Sequence, residues 1–367
     1  MVAIYTKILN YIKSLIAKYK KHNALPQAKE SPRQYDPHHD GRKLSMSVKA
    51  YKEIVKRESN GFETQFEGSS PNDIADIVIG FDFGTSSTKV VIRDPYGGRV
   101  FGIPFNANGN PANDDYLLPT RLFTQNNGRF SIRGDQQSKT TTNLKLYLIE
   151  NTEKIVWNDG QSGRELNAIH AAAFYIACVL QYVRSWFFAN CRDIYGSKTI
   201  RWHFNIGLPA VNYEDSILVA KYKKCIFLAW NLSTEKDPLS QDHARADYIQ
   251  QCSAKELQGI HPDLINILPE VAAEVAGYAK SNMREDGLHL LVDAGAATLD
   301  VSTFNLTRIS GSDTYAFMTT DVRLCGAFAN HRERLVRMES SIAEEDKAAW
   351  NKWKLDHYDA TKPVPRS

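Results

Sequence analysis

A chain of 367 residues with 43% hydrophobic and 24% charged content can bury one large core or two ordinary ones. Its net charge of +3 makes no case for nucleic acid, and no nucleic-acid partner is expected. Five cysteines (Cys178, Cys191, Cys225, Cys252 and Cys325) show neither zinc spacing nor a CxxC pair, and read as reduced thiols in the cytoplasm.

The first 22 residues, "MVAIYTKILNYIKSLIAKYKKH", place Ile4, Ile8, Ile12, Leu15 and Tyr19 at helical spacing among unopposed lysines. Lysines interrupt the run too early for a signal-peptide core. The pattern predicts a basic amphipathic helix that lies on an anionic membrane surface or docks to a protein partner, or else packs on its own domain. Residues 23–76 are polar and rich in turn formers, and read as a flexible linker with one helical patch, "SVKAYKEIVKRE". The "PHHD" within it reads as solvated loop.

Order is expected from Ile77, with strands over 77–82, 88–93, 99–104 and 115–124, and the turn "DPYGG" between two of them. The apolar run "AIHAAAFYIACVLQYV" is too short and too interrupted to span a bilayer, and is expected as a buried helix within 165–190. A strand follows at "TIRWHFNIGLPA". Beyond a helical and irregular region, "LHLLVDAGAATLDVSTFNL" repeats the design met at Ile77. Strand hairpins followed by helices and more strands indicate an α/β chain with mixed sheets flanked by helices. The divisions expected are a first half-domain over 77–285, the start of a second over 286–335, and a polar helical tail over 336–367.

The two hairpins, "IGFDFGTSSTKVVIRD" and "LVDAGAATLDVSTFN", share one plan. Each is an apolar strand ending in Asp-x-Gly, a turn of small or hydroxyl residues, and a second strand. Small residues let backbone approach a polyphosphate, tight turns offer amide donors, and Ser or Thr adds hydroxyls. An aspartate at the strand end suits a hydrated Mg²⁺ between it and the phosphates. Ordinary Gly-turn hairpins would explain one copy, but two copies facing each other favour a nucleotide cleft.

These residues resemble the ATPase superfamily of actin, the seventy-kilodalton heat-shock chaperones and the carbohydrate kinases. "DFGTSSTK" is similar to its first phosphate motif and "DAGAATLDVS" to its second, the latter in the chaperone pattern. "FNIGLPAVNY", "PEVAAEVAGY" and "DVRLCGAFANHRERL" also resemble the chaperone branch, and the likeness runs from Ile77 to Leu335. The resemblance implies an actin-like ATPase (ribonuclease H-like) fold that binds ATP or ADP with Mg²⁺. Asp82 and Asp293 would hold the metal through water. Gly84, Thr85 and Ser86 would contact the β- and γ-phosphates, with Gly295, Ala296 and Thr298 on the opposite wall. Glu270 would sit near the metal or the attacking water, and Lys145 would orient the γ-phosphate. Lys145 reads equally well as a surface lysine on an amphipathic helix, and Lys89 as structural.

Two departures bear on activity. Ala296 and Ala297 stand where the chaperones have glycine, which puts hydrolysis in doubt more than binding; Cys325 replaces one of a glycine pair. No strand with an adenosine-contacting Gly-Gly pair follows Leu335, so on the family pattern the second half-domain is expected to be incomplete, truncated or completed from elsewhere. Three functions are carried forward: a Mg-dependent ATPase of the chaperone–actin type, a catalytically weak or inactive nucleotide-binding scaffold, and a phosphotransferase of the carbohydrate-kinase kind.

Overall fold

The computed structural model describes residues 65–105, 113–125, 127–132, 138–150, 153–160, 164–208, 216–235, 244–309, 312–323 and 326–350. The chain divides into two compact units, 1–44 and 45–367, and every described residue belongs to the second. The expected basic helix over 1–22, the linker up to residue 64, the "PHHD" segment, Cys325 and the end of the tail all lie outside the described residues.

Alternation builds the first sheet. In β1 (Ser70–Phe83), Ile77, Ile79, Phe81 and Phe83 turn to one side and are buried, which leaves Asp82 on the other. β2 (Ser87–Asp94) returns antiparallel with Thr88, Val90, Ile92 and Asp94 buried, and β3 (Arg99–Gly102) pairs with it after the expected turn. Asp94 shapes that turn by accepting from the backbone N–H groups of Tyr96 (3.0 Å) and Gly97 (2.6 Å). The strand expected over 115–124 is two short strands, β4 (Leu118–Pro119) on β2 and β5 (Leu122–Thr124) in a separate sheet. β6 (Phe130–Ser131) and β7 (Lys139–Thr141) flank β5.

After α1 (Leu144–Glu150), strands β8 (Ile155–Asn158) and β9 (Glu165–Asn167) pair antiparallel. Asn167 then caps α2 (Ala168–Asn190), its side chain accepting from the N–H of His170 at 3.0 Å. α2 is long and apolar enough to cross a membrane, yet the protein itself encloses nearly all of it. Phe83 meets Tyr175, Phe101 meets Trp186 and Phe187 meets Trp202, so the sheet lies against one side. A helix apolar on every face belongs inside a core. The short α3 (Arg192–Tyr195) leads into β10 (Lys198–Leu208), parallel to β1. α4 (Ser216–Ser233) backs α2, where buried Arg184 donates to the carbonyl and hydroxyl of Ser233 at its end. α5 (Ala246–Cys252) precedes β11 (Ile265–Pro269), parallel to β10. The sheet order is β11-β10-β1-β2-β3, parallel on one side of β1 and antiparallel on the other.

α6 (Glu270–Ala279) joins this layer to a second sheet, the antiparallel meander of β12 (Gly287–Ala294), β13 (Leu299–Ile309) and β14 (Ser312–Arg323). Its core is small: Val271, Val275 and Ala279 of α6 pack with Phe304 and Leu306. α7 (Ala327–Ser340) follows. The chain is mixed α/β, with a mixed sheet and flanking helices.

Two boundaries need correction. β1 begins at Ser70, so residues 70–76 are strand where linker was expected, and Phe66 before it is buried. Ser70 to Ile74 are exposed and polar-rich, and a register shift interrupts their pairing with β10, which hides strand from an apolar-pattern reading. At the other end, α7 crosses the boundary expected between 335 and 336.

Candidate functional site

In an open α/β sheet, ligands collect beyond the carboxyl ends of parallel strands, where the strand order reverses. Here β1 ends at Asp82 and Phe83, β10 at Gly207 and Leu208, and β11 at Pro269, followed at once by Glu270. Three elements distant in sequence therefore deliver polar groups to one edge.

Asp82 is half exposed and lies directly across the hairpin from Lys89, whose Nζ is 3.1 Å from its Oδ2. Lys89, read from the sequence as structural, thus holds the first turn's carboxylate. Gly84, Thr85 and Ser86 form the half-buried turn between β1 and β2. The Ser86 carbonyl accepts from the Thr120 N–H (2.9 Å), and the Thr88 and Thr120 hydroxyls share a hydrogen bond of 2.9 Å just below.

Glu270 opens α6, where a carboxylate favours the helix N-terminus. Its side chain presses on Gly207: a Cβ there would lie 2.7 Å from Glu270 Cγ. Only glycine lets this carboxylate occupy the end of β10. The Gly207 carbonyl accepts from the buried Tyr222 hydroxyl (3.0 Å), whose proton is held tightly by burial and by nearby Glu270, Cys225 and Asp82. Of the two readings of Lys145, the surface one is wrong. Its side chain is only 10% exposed and forms an ion pair with Glu270, itself 25% exposed.

The second hairpin differs from the first in one respect. Asp293, exposed on β12, stands across from Asp300 of β13, a like-charge pair in register. Thr298 Oγ1 donates to Asp300 Oδ2 at 2.9 Å. The turn itself is tied to α7: the Ala297 carbonyl accepts from the Gly326 N–H and the Gly295 carbonyl from the Ala327 N–H, both at 3.0 Å. A Cβ at Gly326 would come within 2.5 Å of the Gly295 oxygen and 2.6 Å of the Ala296 oxygen, so this contact also requires glycine. Ala296 is half-buried and Ala297 buried in this tethered turn.

Between α6 and the second sheet lies a cavity of about 20 Å³, room for one water, lined by Glu270, Glu274, Asp293, Asp300, Ser302 and Thr320 among others. The carboxylates feel one another. Burial raises the Glu274 carboxyl to about 7, and Asp293, Glu270, Asp300 and Asp82 add to the rise. Burial also raises Glu270, against the pull of Lys145, while Asp82 and Asp300 push it further up. Asp300 is raised by burial, opposed by the Thr298 hydroxyl, and raised again by Asp293. Aspartates of both turns thus act on the same two glutamates of α6.

Asp82, Lys145, Glu270 and Asp293 therefore belong to one electrostatic cluster, with Gly84, Thr85 and Ser86 at one margin and Gly295, Ala296 and Thr298 at the other. Sequence reasoning left Glu274, Asp300, Gly207 and Tyr222 unassigned. Glu274 stands one helical turn from Glu270, and that i, i+4 spacing could have revealed it. Asp300 lies inside the second motif. Among the described residues, no three His, Cys, Asp or Glu side chains converge to hold a bare metal ion. Asp82 and Asp293, read from the sequence as holding Mg²⁺ through water, are exposed carboxylates at the two turns.

No protein-family model and no curated protein matches the chain. Solved structures similar to it include the following two. Ethanolamine utilization protein EutJ from Carboxydothermus hydrogenoformans matches at 12% identity and a TM-score of 0.29, over 84% of this chain and 73% of that one. An exopolyphosphatase from Cytophaga hutchinsonii ATCC 33406 matches at 10% identity and a TM-score of 0.28, over 76% of this chain and 64% of that one. At such values the residues themselves must carry any functional reading.

Proposed function

We propose that this chain is an actin-like, Mg-dependent ATPase of the kind shared with the heat-shock chaperones, with its nucleotide between the two Asp-x-Gly hairpins. The single observation that carries the reading is the convergence of both hairpins' aspartates on Glu270 and Glu274, with Lys145 buried among them.

In this reading Asp82 and Asp293 would hold a Mg²⁺ through water, and that ion would supply neutralisation of the charge developing on the phosphates. The chain's residues do the rest. Gly84, Thr85 and Ser86 receive the β- and γ-phosphates on one side; Gly295, Ala296 and Thr298 close the other. Lys145 orients the terminal phosphate. Glu270, hard to ionise for its surroundings yet paired with that lysine, is suited to accept a proton from an attacking water. The protein acts in the cytoplasm, and its basic N-terminal segment brings it to an anionic membrane surface or a protein partner.

A second reading has its own support. The second turn's carbonyls are bonded to α7, and Ala296 and Ala297 add methyl groups where a phosphate would approach. These features favour a nucleotide-binding scaffold with weak or no hydrolysis.

Calorimetric titration of the full chain with Mg–ATP and Mg–ADP tests both readings. Micromolar binding, lost in Asp82→Ala and Asp293→Asn, is the expected result, with ATP turnover separating the ATPase from the scaffold. A folded chain that binds neither nucleotide rejects both.

A further inference from the structure

A second cavity, of about 370 Å³, shares no lining residue with the carboxylate cluster. It lies in the segment inserted between β3 and α2, closed on one side by the start of α5. Its volume falls within the range of small-molecule sites, about 300–1,000 Å³. The walls come from separate strands and loops: Thr124 from β5, Lys139 from β7, Trp157 and Asp159 from β8 and its turn, Arg164 before β9, and Arg245 before α5.

Two independent features say what such a cavity takes. The first is charge. Among the described lining residues Lys139, Arg164 and Arg245 are cationic, and Asp159 alone is anionic, already accepting from Arg164 at 3.3 Å. The sign is opposite to that of the carboxylate cluster. The second is an apolar side. Trp157 adds an aromatic wall, fixed edge-to-face on Phe130 with ring centroids 5.1 Å apart.

We propose that this cavity binds a small organic anion, a phosphate or carboxylate with an aromatic or other apolar part. The anionic group lies among Arg164, Lys139 and Arg245, and the apolar part lies against Trp157. The site is separate from the nucleotide cleft and does not depend on it.

The test is calorimetry on the full chain with phenyl phosphate as probe and inorganic phosphate as comparison, without Mg²⁺ or nucleotide. Phenyl phosphate is expected to bind at one site, more tightly than inorganic phosphate because of its ring. Lys139→Met should weaken it about tenfold, the worth of one hydrogen bond between charged groups. Arg164→Gln should weaken it at least as much, and both positions are exposed, so a folding defect is not expected. Asp293→Asn should leave phenyl phosphate binding intact even where it abolishes Mg–ATP binding. The proposal is overturned if a folded chain gives no heat at millimolar probe, if both Lys139→Met and Arg164→Gln bind normally, or if Asp293→Asn removes the binding.

Discussion

Replacing Lys145 with methionine separates a designed ion pair from an incidental one. Lys145 and Glu270 are both largely enclosed, so the change leaves a buried carboxylate without its partner. Breaking such a pair costs about 3–5 kcal/mol, and the lower end applies here because Glu270 retains some contact with water. The cost should depend on pH in a definite direction. The folded-state value of Glu270 already lies above its ordinary one, and losing the lysine raises it further. An acid that is harder to ionise folded than unfolded favours folding when protonated, and withdraws that support as pH rises through the folded value. Lys145→Met should therefore lose about 3 kcal/mol at pH 8 and distinctly less at pH 5. Urea unfolding measures this from the shift in midpoint at constant slope. Adding Glu270→Gln to the lysine variant should restore much of the loss at pH 8, because the unpaired charge is then gone. A penalty equal at both pH values, or a double variant no better than the single one, would show that Lys145 packs without pairing and refute the electrostatic account of this cluster.

Three further outcomes follow from the same geometry. Because Glu274 titrates near 7 among other carboxylates, Mg²⁺ should raise the thermal midpoint more at pH 8 than at pH 5.5, and Glu274→Gln should narrow that difference; an equal shift at both would place the cation elsewhere. Gly207→Ala puts a methyl group 2.7 Å from Glu270 Cγ, so it should cost about 1–3 kcal/mol and reduce Mg–ATP affinity in a chain that still folds; unchanged affinity by calorimetry would remove Glu270 from the site. Hydrogen exchange should slow across β12, β13 and β14 on addition of Mg–ATP, while α2 exchanges equally slowly with and without it; protection confined to β1 and β2 would leave the second hairpin without a role.

Much of this was legible in the sequence, for identifiable reasons. The hairpins announced themselves through strict alternation and through Asp-x-Gly at the strand end. The helix at α2 was legible because apolar side chains fill nearly every face of it, with few polar interruptions. Other features were hidden by chemistry that pattern cannot express. Ser70 to Asp73 carry no branched aliphatic or aromatic side chain, and of them only Ser70 pairs with β10, the rest lying in the register shift before Ile74. In "LKLYLI" nothing shows which face is buried, and Lys145 turns inward only because Glu270, 125 residues away, receives it. β14 escaped notice because, at the edge of its sheet, it carries threonine and aspartate where a central strand would carry aliphatic side chains. The cationic cavity could not be read at all, because its walls come from turns whose proximity is a property of the fold.

The two hairpins repeat a backbone plan but not a charge plan, and the difference links stability to function. Across the first, Asp82 faces Lys89, so that hairpin is satisfied on its own. Across the second, Asp293 faces Asp300, with Glu270 and Glu274 nearby and, among the described residues, Lys145 as the cation that acts on them. A like-charge pair directly opposite in a sheet is destabilising. It also stands where the protein has least to spare, over a core of five buried residues, whereas the first sheet rests on an extensive aromatic core. A bound cation would relieve that repulsion, and whatever binds the folded state alone stabilises it by mass action. The second sheet is thus the part of the molecule whose order should depend on occupancy of the cleft. α7, bonded to the turn between Asp293 and Asp300, is the element that would carry that change outward.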